Sequence, residues 1–216
     1  MNIVLFGPPG AGKGTQAENL AKEFNFFRIS TGDLLRAEVN KQSLLGNKIK
    51  STIDQGLFVS DDLINHLVKN ILSDKKYFNR LIFDGYPRNI NQAKHLDLLI
   101  KKYNQKLSCV LCLKINQDVI IKRIIGRQVC SRCKLTFNEF FNPSTKENHN
   151  CSSNFLQKRS DDNEKAIKSR IYTYTKETLP ILEYYKNQNL LYEIEGMGDI
   201  SLIYKEIHRI IRSIDT

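Results

Sequence analysis

Apolar and polar positions switch between two periods along this chain. Ile3 to Phe6 is a continuous apolar run, which predicts a buried strand; a Gly/Pro-rich turn follows, and then Ala17, Leu20, Ala21 and Phe24 recur at helical spacing. Strand-like runs return at Phe26 to Ile29, Leu81 to Phe83, Cys109 to Leu113 and Leu190 to Ile194, with amphipathic segments between them. That alternation predicts a doubly wound α/β fold, a parallel sheet with helices on both faces. The best helical stripe, Leu63, Ile64, Leu67, Val68, Ile71 and Leu72, begins after Ser60, which is expected to cap it ahead of Asp61 and Asp62.

Two stretches interrupt the alternation. Ser30 to Val59 carries two short helical patterns, with a capping box from Ser30 to Asp33 and a turn at Gly56. Gly126 to Ser160 is polar, poor in aliphatics and holds three of the five cysteines. The expected organisation is a core domain of 1–29, 60–125 and 161–216, with a small segment at 30–59 and a second insert at 126–160.

Composition narrows the class. With 216 residues, 41% hydrophobic and 26% charged, the chain has the make-up of one main globular domain, which excludes disordered, collagen-like and coiled-coil readings. No apolar run approaches a membrane span and Met1 to Phe6 runs into a loop, so a cytoplasmic protein with no membrane partner is expected. Lys and Arg outnumber Asp and Glu by 33 to 23, a net +10, which favours polyanionic partners: nucleic acid or small phosphorylated ligands. Five cysteines without a secretory signal read as free thiols or metal ligands.

The first chemical candidate is the loop Gly7-Pro8-Pro9-Gly10-Ala11-Gly12-Lys13-Gly14-Thr15, between a predicted strand and a predicted helix. Glycines there let backbone N–H groups turn toward one centre, the helix N-terminus adds positive potential, and Lys13 reaches terminal phosphate oxygens. The general phosphate-loop pattern has Ser or Thr directly after the lysine. Here Gly14 intervenes and Thr15 carries the hydroxyl.

That variant loop resembles the nucleoside monophosphate kinases, and four later segments narrow the resemblance to adenylate kinases of the long-lid type. Ser30-Thr31-Gly32-Asp33 with Arg36, Asp84-Gly85-Tyr86-Pro87-Arg88 with Gln92, Arg123-Ile124-Ile125-Gly126-Arg127, and Arg159-Ser160-Asp161-Asp162 with Arg170 match in order and spacing over essentially the whole chain. The resemblance implies a P-loop nucleoside triphosphate hydrolase-like fold. It also implies reversible Mg²⁺-dependent phosphoryl transfer from ATP to AMP giving two ADP, with a lid at 126–160, an AMP-binding segment at 30–59, no nucleic-acid partner and a monomeric state.

It further implies roles for individual residues. Gly10, Ala11, Gly12, Lys13, Gly14 and Thr15 hold ATP phosphates. Arg123 lies over the ATP end and Arg127 binds its phosphates, with Thr136, Phe137 and the Gly196-Met197-Gly198 turn completing the ATP site through Gly198. Arg36, Arg88, Arg159 and Arg170 engage the AMP phosphate and the transferred group, so Lys13, Arg88, Arg123, Arg159 and Arg170 are the catalytic set. Thr31, Gln92 and the backbone of Leu57, Phe58 and Val59 surround the AMP base, beside Gly85, Tyr86 and Pro87; the family usually has Phe in place of Tyr86. Asp84, at the expected carboxyl end of a strand, holds the water shell of Mg²⁺. Arginine forks suit phosphate better than lysines, and Arg123 and Arg127 would share a face on a continuous helix.

The cysteines split into two groups. Cys130 and Cys133 form a CxxC knuckle with Cys151 eighteen residues on, three thiolates for a structural Zn²⁺. Zinc-bearing relatives show a fourth Cys or Asp where this chain has Asn154, a poor ligand; His149 or an external ligand would complete the set, and the alternative is a lid that holds no metal. Cys109 and Cys112 lie in an apolar run and read as buried small hydrophobes. His66, His95 and His208 receive no catalytic role. Two rivals are a kinase for a different nucleoside monophosphate and a zinc-ribbon nucleic-acid binder; the second leaves the phosphate loop and Asp84 to Arg88 unexplained.

Overall fold

The computed structural model describes residues 1–215. In chain order the elements are β1 (Asn2–Phe6), α1 (Lys13–Phe24), β2 (Phe27–Ser30), α2 (Thr31–Asn40), α3 (Leu44–Asp54), α4 (Asp61–Ser73), β3 (Leu81–Asp84), α5 (Ile90–Lys102) and β4 (Leu107–Lys114). They continue with α6 (Gln117–Ile125), β5 (Arg127–Cys130), β6 (Thr136–Asn138), β7 (Leu156–Gln157), α7 (Glu164–Thr173), α8 (Pro180–Lys186), β8 (Leu191–Glu195) and α9 (Ile200–Asp215).

Five strands form one parallel sheet in the order β2-β3-β1-β4-β8, with β1 at its centre and buried along its whole length. The two-residue period of a strand divides its side chains between two cores. Val4 and Phe6 point to one face, where Phe83 and Val110 meet Val68 of α4, Leu96 of α5 and Tyr185 of α8. Ile3 and Leu5 point to the other, against Ala17 and Leu20 of α1 and Ile203, Ile207 and Ile211 of α9. This is the doubly wound α/β architecture. Cys109 and Cys112 fall on opposite faces, 0% and 3% exposed, as small core residues.

The polar insert folds as a separate three-stranded antiparallel sheet, β6-β5-β7. Its first strand corrects one expectation. Arg123 and Arg127 do not share a helix: α6 stops at Ile125, Gly126 caps it, and Arg127 opens β5. Ser60 stands at the N-cap of α4, but its side chain makes no capping bond. Asp61 instead accepts from Asn89 and Gln92. Ser30 caps α2 through Asp33 N–H at 3.2 Å. Among the described residues no helix is long and apolar enough to cross a membrane.

Candidate active site

Parallel strands carry all their carboxyl ends to one edge, so the turns after β1, β2, β3, β4 and β8 gather there. The turn after β1 is the phosphate loop. Gly12 caps α1 with φ +90, a conformation that a side chain would strain, and it turns the first N–H groups of α1 outward. Lys13 folds back over the loop, its Nζ donating to the carbonyls of Gly7 at 2.6 Å and Pro8 at 2.9 Å. Burial, with Arg88 and Arg170 adding repulsion, pushes the Lys13 ammonium down to about 8 although Asp84 opposes the shift.

Two connected pockets open from this edge. The larger runs from Gly10 to Thr15 past Arg123 of α6, Thr136 and Phe137 of the small sheet, and Gly198 beyond β8. Arg123 lies 5.4 Å from the centre of the Phe141 ring in its wall. The smaller is walled by Leu35 and Arg36 of α2, the turn from Gly56 to Val59, and Gly85, Pro87 and Arg88. Lys13, Arg36, Arg88 and Arg170 line both pockets and form the partition between them.

The arginines fall into two electrostatic kinds. Arg127 is clamped by Asp162, with Nε at 2.8 Å from Oδ2 and Nη2 on Oδ1; burial works against its charge, and the carboxylate outweighs it. Arg170 pairs with Asp161 at 2.9 Å. Arg88 and Arg159, in contrast, have no carboxylate partner among the described residues. Arg88 bonds the Gly85 carbonyl through Nε at 2.7 Å and lies 4.9 Å from the centre of the Phe58 ring. Burial and neighbouring arginines push Arg88 down to about 10 and Arg159 to about 9. Partly buried cations that repel one another describe a site built for an anion.

Three of the residues expected around the AMP base stand behind the pocket wall. Tyr86 is 1% exposed, and its hydroxyl donates to Asn65 at 2.8 Å, a bond a phenylalanine could not make. Thr31 donates to the Gly85 carbonyl at 2.8 Å. Gln92 accepts from Arg88 N–H at 2.8 Å and donates to Asp61 at 2.6 Å. Its amide keeps a second lone pair and a second N–H.

Asp84 ends β3 opposite Leu5 of β1, beside the phosphate loop. The sequence pattern alone does not reveal its partner: Arg28 of β2 grips Oδ2 with Nη2 at 2.6 Å and Nε at 3.1 Å. In the small sheet, Cys130, Cys133, His149 and Cys151 bring one ligand atom each to within 4.8 Å of one another. His149 is buried, its Nδ1 lies 2.8 Å from Ser144 Oγ, and its Nε2 has no hydrogen-bond partner. An unpartnered buried imidazole nitrogen beside three thiols fits the donor set of a tetrahedral zinc site.

The sequence profile described as adenylate kinase matches residues 5–190. The chain belongs to the adenylate kinase family. It is 46% identical to the adenylate kinase of Pelagibacter ubique over 212 residues, 98% of this chain and 100% of that protein. It is 41% identical to the adenylate kinase of Methanocella arvoryzae over 99% of this chain and 100% of that protein, and 37% to that of Enterococcus faecalis over 98% and 99%. The activity is therefore that of an adenylate kinase: reversible phosphoryl transfer from ATP to AMP, giving two ADP. Family membership implies Mg-ATP as the donor, and the cysteine–histidine cluster belongs to an adenylate kinase of the long-lid type.

Proposed function

We propose that the larger pocket takes ATP and the smaller takes AMP, with the transferred phosphoryl group passing through the cationic partition between them. The observation that carries this is the sharing of Lys13, Arg36, Arg88 and Arg170 by both pockets. Two polyanions repel, and a wall of partly buried cations lowers that repulsion where charge spreads in the transition state. Lys13 and the N–H groups from Gly10 to Thr15 hold the β and γ phosphates. Arg123 and Arg127 fix the triphosphate from the side of the small sheet. Arg88, Arg159 and Arg170, with Arg36, seat the AMP phosphate in line with the attacked phosphorus.

Mg²⁺, when bound with ATP, would neutralise part of the phosphate charge. Asp84 fits that ion: its Oδ1 accepts no hydrogen bond among the described residues, and Thr15 lines the same pocket. Cys130, Cys133, His149 and Cys151 hold a structural Zn²⁺ that stabilises a segment with little apolar core.

Residues 126–160 act as a lid over ATP and 30–59 as a clamp over AMP, excluding water that would hydrolyse the phosphoryl group. Ser160 donating to Asp54 at 2.9 Å ties these two segments together, which supports a closed arrangement. Gln92 supports the adenine pocket from behind its wall, holding the Arg88 backbone N–H and Asp61. The five free cysteines fit a reducing, cytoplasmic setting, and the enzyme acts as a monomer.

The test is a coupled assay with ATP, Mg²⁺ and each of AMP, GMP, CMP and UMP as acceptor. AMP is expected to dominate; preference for a pyrimidine acceptor overturns the base-site assignment.

A further inference from the structure

Arg28 comes from a run that reads as an apolar strand, yet its side chain is in the active site. The period of β2 puts Arg28 and Ser30 on one face, and the parallel register sets them beside Ile82 and Asp84 of β3. From there the guanidinium spans to Asp84 Oδ2 and lies 3.6 Å from Asp33, while forming part of the ATP pocket wall. The space it uses is space that Gly14 leaves: a Cβ at position 14 would stand 2.9 Å from Arg28 Nη2 and 3.6 Å from Asp84 Oδ2. A serine or threonine directly after Lys13 would push the Arg28 guanidinium from this position.

We propose that Arg28 is a positioning residue for Asp84 that sets how much Mg²⁺ the reaction demands. This rests on the reading of Asp84 as the carboxylate that holds the ion's water shell. Two donors on one oxygen orient the carboxylate and leave Oδ1 toward the pocket. The same contact seats a full positive charge on the group that attracts the dication. At this range the charge effect exceeds the benefit of orientation, because a guanidinium in contact cancels most of a single carboxylate's field. Arg28 therefore weakens Mg²⁺ binding and ties turnover to the Mg²⁺ supply.

The experiment is calorimetric titration of Mg²⁺ into the full chain saturated with a bisubstrate mimic, two adenosines bridged by five phosphates. Arg28→Gln keeps a donor and removes the charge, and is expected to tighten Mg²⁺ binding at least about fivefold, the low end of ordinary coupling between sites. Arg28→Lys, which keeps the charge, should stay within about twofold of the parent. Asp84→Asn should weaken Mg²⁺ binding, and adding Arg28→Gln to it should have no further effect. An unchanged Mg²⁺ affinity in Arg28→Gln alongside a weakened one in Asp84→Asn overturns the role of Arg28, as does a lowered melting temperature with no change in affinity. An unchanged affinity in Asp84→Asn overturns both the reading of Asp84 and this inference. Should Arg28→Gln not fold, Arg28→His at pH 8 serves the same comparison.

Discussion

Lys13 Nζ donates to the carbonyl of Gly7 at 2.6 Å, so the cation that should grip a triphosphate rests on the backbone of its own loop. Burial holds that ammonium near 8, from an ordinary 10.5. In the ligand-free enzyme the charged form is lost as pH rises through about 8, and the charged form is the one phosphate needs. The value of kcat/KM for ATP is therefore expected to fall above pH 8, read from a pH–rate profile. Between about 8 and 10.5 the unfolded chain binds this proton and the folded chain does not, so Lys13 alone makes stability rise with pH in that window. Lys13→Met should lower ADP formation by at least about 10²- to 10³-fold while the circular dichroism spectrum stays that of the parent.

Metal content is the second prediction. Purified protein should carry one zinc per chain, bound by Cys130, Cys133, His149 and Cys151. Such a site supplies on the order of 10 kcal/mol toward local folding. Chelation, or His149→Ala, should raise hydrogen exchange in β5, β6 and β7 before the parallel sheet is affected. Uniform exchange in both sheets after chelation counts against a structural ion.

Gly56 supports a third. It has φ +73, and a Cβ there would stand 2.6 Å from the Ala166 carbonyl and 3.1 Å from Arg170 Cγ. Gly56→Ala should cost about 1–3 kcal/mol in denaturant unfolding. It should also raise KM for AMP several-fold with KM for ATP little changed, because Arg170 is displaced at the AMP side of the partition.

The Arg127–Asp162 pair gives a fourth. The Asp162 side chain is fully buried and Arg127 nearly so. Removing the carboxylate strands a buried guanidinium, so Asp162→Ala should lose roughly 3–5 kcal/mol of stability. Asp162→Asn, which retains an acceptor, should lose less, and thermal denaturation of the two variants separates them.

The fold was readable where one local pattern meant one thing. The apolar runs at Ile3, Leu81 and Cys109 became strands because they are buried on both faces of a parallel sheet, and a continuous run is what double burial requires. The strand order was not readable, since pairing β1 with β3 and β4 is decided by packing across the whole domain. Spacing misled at Arg123 and Arg127: an interval of four suggests one helical face, but Gly126 ends the helix and both side chains reach the pocket from different elements. Arg28 has a legible signal of its own, a charge two residues before Ser30 on one face of a strand. Gln92 and Tyr86 were placed near a base by resemblance. Their hydrogen bonds to Asp61 and Asn65 depend on α4, which no local pattern connects to them.

The central place of β1 matters before the enzyme ever meets a nucleotide. Its five buried residues leave the ribosome before their partner strands, which lie in β3, ending at Asp84, and in β4, ending at Lys114. Until β3 and β4 have emerged, β1 lacks its strand partners, so the nascent chain is most prone to aggregate in that interval.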